Sequence, residues 1–163
     1  MHPSAREFVS RYATADTISV IEIGSRDVNG SIRDLFPSAS WLGIDIAPGP
    51  GVDIVCDATE WDTLRRVDLL ICCETFEHAP NWREIVIQSF PWLSGGGRCI
   101  FTAAGLGRMP HSAVDGGELR AGEHYANNSL RAMEAAMVVA GYRIEVGEFS
   151  GLHSDVRASG TKV

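Results

Sequence analysis

Along the chain, short apolar runs alternate with stretches whose apolar residues recur at helical spacing. Phe8, Val9 and Tyr12 give residues 3–12 an apolar stripe suited to a short helix. Residues 18–23 form a compact apolar run broken only by Ser19 and Glu22, which predicts a first strand. Asn29-Gly30 marks a turn, and Ser31 followed three residues later by Asp34 resembles a helix-starting capping box, with the helix ending by Pro37. Further strands are predicted over residues 41–46, 52–56 and 67–73. Trp82, Ile85, Val86 and Phe90 are spaced for a helix over 81–90. A glycine turn at 94–97 precedes a fifth strand at 98–103, and a long polar, glycine-rich stretch covers 104–127. Ser129 caps a helix that runs to Ala140 and is stopped by Gly141. Residues 142–149 and 155–163 read as the two strands of a closing hairpin.

Strands and helices alternating at this spacing predict an α/β fold: a mostly parallel sheet with helices on both faces, its terminal hairpin adding an antiparallel edge. The 163 residues suit one domain. In such sheets ligands bind at the carboxyl ends of the strands, near the point where strand order reverses. The residues that follow each strand therefore carry most of the functional information.

Charge and cysteine usage narrow the picture. The net charge of −7 disfavours a nucleic-acid partner, which needs clustered Lys and Arg, and is compatible with a cationic ligand. No apolar run reaches bilayer length, and the first eleven residues lack the apolar core of a signal peptide, so a cytoplasmic protein without membrane contact is expected. Cys56, Cys72, Cys73 and Cys99 lie in or beside apolar runs and read as small buried hydrophobes. They lack a CxxC-type metal spacing, and no metal is expected.

Four strand ends carry candidate chemistry. After the first comes Glu22-Ile23-Gly24-Ser25-Arg26-Asp27-Val28, in which Gly24 permits a tight turn close to a ligand. Arg26 and Asp27 exclude the GxGxxG dinucleotide fingerprint, which counts against a nicotinamide-dependent oxidoreductase. Asp45 ends the second strand about twenty residues beyond Gly24, the spacing at which an acid accepts ribose hydroxyls. Asp57 follows the third, placed either to accept from the amine of a base or to cap a helix over 59–64. Glu74-Thr75-Phe76-Glu77-His78-Ala79 follows the fourth and puts two carboxylates and an imidazole where a ligand lies.

Taken in order, these segments resemble the class I S-adenosylmethionine-dependent methyltransferases. Glu22-Ile23-Gly24 is similar to the start of that family's first motif, Glu74 to Ala79 to the Glu-His segment of its small-molecule enzymes, and Glu123-His124-Tyr125 with Gly141-Tyr142 to their late segment. Arg26 and Val28 stand where the family has its second and third motif glycines. The resemblance implies a seven-stranded Rossmann-like sheet with an antiparallel last strand, S-adenosylmethionine as cofactor, and methyl transfer to an oxygen or nitrogen of a small molecule. It further implies that Glu22 to Gly24 hold the methionine end and Asp45 the ribose. Ile46 would also bind the cofactor, Asp57 and Ala58 would bound the adenine, and Glu74 and Thr75 would lie beside the reacting methyl. His78 and His124 are the candidates for a general base, since both segments converge over the carboxyl end of the sheet. The plainer reading is that each fastens its own loop. Residues 104–127 are expected to form a flap over the acceptor. A catalytically silent binding or structural module is the alternative.

Overall fold

The computed structural model describes residues 2–163. Seven strands form one sheet: β1 (Ser19–Ile23), β2 (Ser40–Asp45), β3 (Ile54–Val55), β4 (Val67–Cys73), β5 (Leu93–Ala104), β6 (Tyr142–Ser150) and β7 (Asp155–Lys162). Their order is β3-β2-β1-β4-β5-β7-β6, parallel throughout except for β7, which is antiparallel to both β5 and β6. The terminal hairpin forms the expected antiparallel edge, with the last strand, β7, inserted beside β5 and β6 outermost. Strand order reverses between β1 and β4.

Alternate strand residues enter two apolar layers, as the period of two requires. Ile21, Ile23, Leu70, Cys72, Phe101 and Ala103 face α2 (Trp82–Ser89) and α3 (Leu130–Ala140), whose Ile85, Val86, Met133 and Met137 close that layer. Val20, Leu69, Ile71, Cys73 and Ile100 face the other way, onto Phe8 and Val9 of α1 (Pro3–Ser10) and onto Ile32 and Phe36. Adjacent Cys72 and Cys73 thus serve opposite faces. Ser129 Oγ accepts from the Ala132 amide (3.2 Å), and Gly141 ends α3 at φ +107. Among the described residues no helix is long and apolar enough to cross a membrane.

Three expectations need correction. The capped helix at 31–37 is a single 3-10 turn, Arg33–Leu35, because Ile32 and Phe36 are both pulled into the layer under α1 and Pro37 follows. No helix forms over 59–64: Trp61 turns inward and meets Trp92 edge-on, ring centroids 4.8 Å apart, which holds the chain off a helical path. Glycines 95–97 do not precede β5 but lie inside it. Val67 pairs with Leu93 and Leu69 with Arg98, so residues 94–97 are looped out as a bulge.

Candidate functional site

The first loop leaves β1 at Gly24, whose φ of +70 is accessible to glycine at little cost. The amides of Gly24 and Ser25 both donate to the Ile44 carbonyl (2.9 and 3.1 Å), fastening the loop to the end of β2. A Cβ at Gly24 would collide with the Thr75 side chain, so the segments after β1 and β4 touch at the reversal of strand order. Asp45 stands beside them. Its Oδ2 accepts from the Arg26 amide (3.1 Å) and its Oδ1 from the Ala47 amide (2.9 Å). Two accepted bonds leave part of a carboxylate's capacity of about four free. Ile46, next in the chain, is 77% exposed and offers an apolar surface.

Glu22, near the end of β1, is buried, and Arg33 donates from Nε to its Oε2 (2.9 Å) and from Nη2 to the Gly51 carbonyl (2.6 Å). Burial pushes the Glu22 carboxyl up, and Arg33 opposes it. Asp57 Oδ1 accepts from both the amide (2.8 Å) and hydroxyl (2.7 Å) of Thr59, a local turn with no helix beyond it, and Ala58 is buried.

After β4 the chain is more unusual. Glu74 has φ +53, a costly conformation for a residue with a side chain. Its Oε1 accepts from Thr102 Oγ1 (3.0 Å) and its Oε2 lies 3.7 Å from Arg108 Nη2. Arg108 also pairs with the fully buried Asp155, which accepts from Ser4 Oγ as well. Glu77 is fully buried and neither oxygen has a well-formed hydrogen bond. Burial drives both carboxyls upward; Asp155 adds to the effect on Glu74, and Glu74 to that on Glu77.

The stretch 104–127 lies across these groups as an irregular segment. Arg26 Nη2 donates to the carbonyls of Ala113 (3.1 Å) and Val114 (2.9 Å), and the Ala126 amide donates to the Glu77 carbonyl (2.8 Å). Its His111 and Tyr125 rings meet His78 in a three-ring cluster, with centroids 5.0–5.5 Å apart. Burial, then His111, pushes His78 down to about 4. His124 is exposed, and its backbone engages the His78 ring. Sequence reasoning passed over His111, Arg108 and Asp155. Their only signal was a histidine and an arginine inside a glycine-rich stretch that had no motif around them.

A cleft of about 390 Å³ runs between the first loop (Arg26, Asp27, Val28), the β2–β3 loop (Pro48 to Pro50) and Val114–Asp115. Strand order β3-β2-β1-β4-β5-β7-β6, with only β7 reversed, is the feature that decides the fold. The chain has the S-adenosylmethionine-dependent methyltransferase fold. It superposes on 1,6-didemethyltoxoflavin-N1-methyltransferase of Burkholderia thailandensis, with bound 1,6-didemethyltoxoflavin and S-adenosylhomocysteine, at a TM-score of 0.72 and 13% identity over 98% of this chain and 79% of that one. An S-adenosylmethionine-dependent methyltransferase of Mesorhizobium loti gives 0.71 and 13%, over 98% and 99%. The N-methyltransferase NodS of Bradyrhizobium japonicum, in complex with S-adenosylhomocysteine, gives 0.67 and 13%, over 98% and 85%. No protein-family model matches the sequence, and neither does any curated protein. Among the described residues no α-helix lies between β1 and β4, where a single 3-10 turn, Arg33–Leu35, interrupts the connecting loops.

Proposed function

We propose that this protein transfers a methyl group from S-adenosylmethionine to an oxygen or nitrogen atom of a small molecule. The observation that carries the reading is the grouping of Gly24, Asp45 and Thr75 where strand order reverses, the place at which open α/β sheets take their ligands. The residues fit the cofactor. Asp45 retains acceptor capacity for ribose hydroxyls, exposed Ile46 offers an apolar wall to an adenine, and Asp57 with the small Ala58 bounds its far side. Gly24 presents bare backbone towards the methionine end. Glu22, held by Arg33, supports the turn that presents the methionine end to Gly24.

The cofactor supplies a methyl already activated by a sulfonium, whose leaving group is a neutral thioether. The protein's own work is positioning. Thr75 and Glu74 border the reacting end, and the segment 104–127 excludes water from above. An acceptor hydroxyl must lose a proton, and exposed His124 is the residue proposed to take it. His78, held near 4, is neutral at pH 7 and a weak base, which fits it for holding a partner rather than for taking up a proton.

Calorimetric titration with S-adenosylmethionine, S-adenosylhomocysteine and NAD tests the proposal. Saturable binding of the first two and none of NAD is the expected result. Silence with both sulfur ligands would overturn it. Turnover in a screen of hydroxyl- and amine-bearing small molecules separates the enzyme from a silent binder.

A further inference from the structure

Glu77, His78 and His111 each offer one ligand-type atom, and these atoms all lie within 4.8 Å of one another. The grouping is assembled from two segments more than thirty residues apart: the 3-10 turn Phe76–His78 after β4, and the stretch laid over it. Packing alone does not explain it. Glu77 is fully buried with neither carboxylate oxygen well bonded, and the Nδ1 of His78 and the Oη of Tyr125 are likewise buried without partners. A buried polar atom without a well-formed hydrogen bond is unfavourable until a partner meets it. Glu77 and His78 thus bring unsatisfied ligand-type atoms to a grouping that His111 completes.

We propose that Glu77, His78 and His111 bind a divalent transition-metal ion, which receives an oxygen or nitrogen donor of the acceptor in its open positions. Two imidazoles and one carboxylate suit the first-row ions that favour nitrogen, zinc and iron(II) among them, over magnesium or calcium, which prefer all-oxygen sites. Bond lengths of about 2.0–2.2 Å would bring adjacent ligand atoms to roughly 3 Å, which small side-chain rotations supply from the present spacing. The His111 Nδ1 lies 3.1 Å from the Met109 carbonyl. In the tautomer that donates this bond, Nε2 keeps its lone pair for the metal, an arrangement common to metal-bound histidines. Only three protein ligands are present, as in catalytic rather than structural sites, so positions stay open. The Tyr125 ring packs edge-on against both histidines, and its hydroxyl is buried. The acceptor role rests on the methyl-transfer reading; the metal site does not. The site departs from the expectation of no metal, which considered cysteine spacing alone.

Cobalt(II) titration of the whole chain, followed by calorimetry and by visible absorption, tests the site. One equivalent should bind, with ligand-field bands of imidazole–carboxylate coordination. His111→Ala and the near-isosteric Glu77→Gln should each weaken binding at least about tenfold, since loss of even an outer-shell partner costs that much. Circular dichroism of each variant checks that it is folded. S-adenosylhomocysteine binding, measured in parallel, should be the same in native protein and both variants. No saturable cobalt binding, or binding undiminished in both folded variants, overturns the proposal. Cobalt binding without S-adenosylhomocysteine binding would instead sink the methyl-transfer reading and leave the metal site standing.

Discussion

Arg33 ties the end of β1 to the loop ahead of β3, bonding Glu22 with one nitrogen and the Gly51 carbonyl with another. Removing one partner of a fully buried ion pair costs about 3–5 kcal/mol, and this pair, reached in part by solvent, should lose about 2–3 kcal/mol on Arg33→Ala. The sign of its pH dependence follows from burial, which already raises the Glu22 carboxyl and would raise it further without Arg33. Above that raised value the variant carries an unpaired buried charge and shows its full deficit. As pH falls towards the ordinary value of 4.5 the carboxyl protonates and the deficit shrinks. Denaturant melts of both proteins from pH 5 to 8 check this. Asp45 answers to affinity rather than stability. Charge-assisted hydrogen bonds contribute about 1.5–3 kcal/mol, so Asp45→Ala should weaken S-adenosylmethionine binding roughly ten- to a hundredfold, and Asp45→Asn less, by calorimetry. Gly24→Val would meet both a positive φ and the Thr75 side chain. It should lose roughly 2–4 kcal/mol of stability and all cofactor binding, read by thermal melts with and without ligand. For the candidate base, His124→Ala should lower turnover roughly 10²–10⁴-fold with cofactor affinity unchanged.

At the scale of elements, the segment 104–127 is held at both ends and in the middle. Arg26, standing where the methyltransferase resemblance would place a glycine, supplies the middle hold through the Ala113 and Val114 carbonyls. Arg26→Ala should therefore quicken hydrogen exchange over 112–116 while leaving β4 and β5 protected, and cofactor with acceptor together should slow exchange along the segment. Unchanged exchange in both experiments would mean that the segment merely fills space. Elements with a clear period were legible beforehand. β1 and β4 are compact apolar runs buried on both faces, α2 and α3 recur at helical spacing, and the caps at Ser129 and Gly141 behave as their chemistry dictates. Illegible were features set by distant partners. Trp61 is turned by Trp92, thirty-one positions on, and 94–97 become a bulge only because Val67 holds Leu93 in register. The site divides the same way. Gly24, Asp45 and Thr75 follow from strand ends, whereas His111 reaches Glu77 through the path of a segment without periodicity.

For the molecule as a whole, the position of β7 sets the order in which the sheet can be completed. Among the described residues β6 bonds to no strand except β7, and β7 joins β5 across more than fifty residues of chain. A chain made from its amino end thus exposes an open β5 edge and a stranded β6 until β7 arrives between them. Loop closure of that length is slow and leaves edges free to find other copies. Pulse-labelled hydrogen exchange during refolding should show β6 and β7 amides gaining protection together, after those of β1 and β4. Early protection of β6 alone would contradict this. The consequence reaches production in the cell: yield should depend on how long nascent chains wait with that gap unfilled, and slower translation across residues 142–162 should raise the fraction that aggregates, even though the finished fold is unaltered.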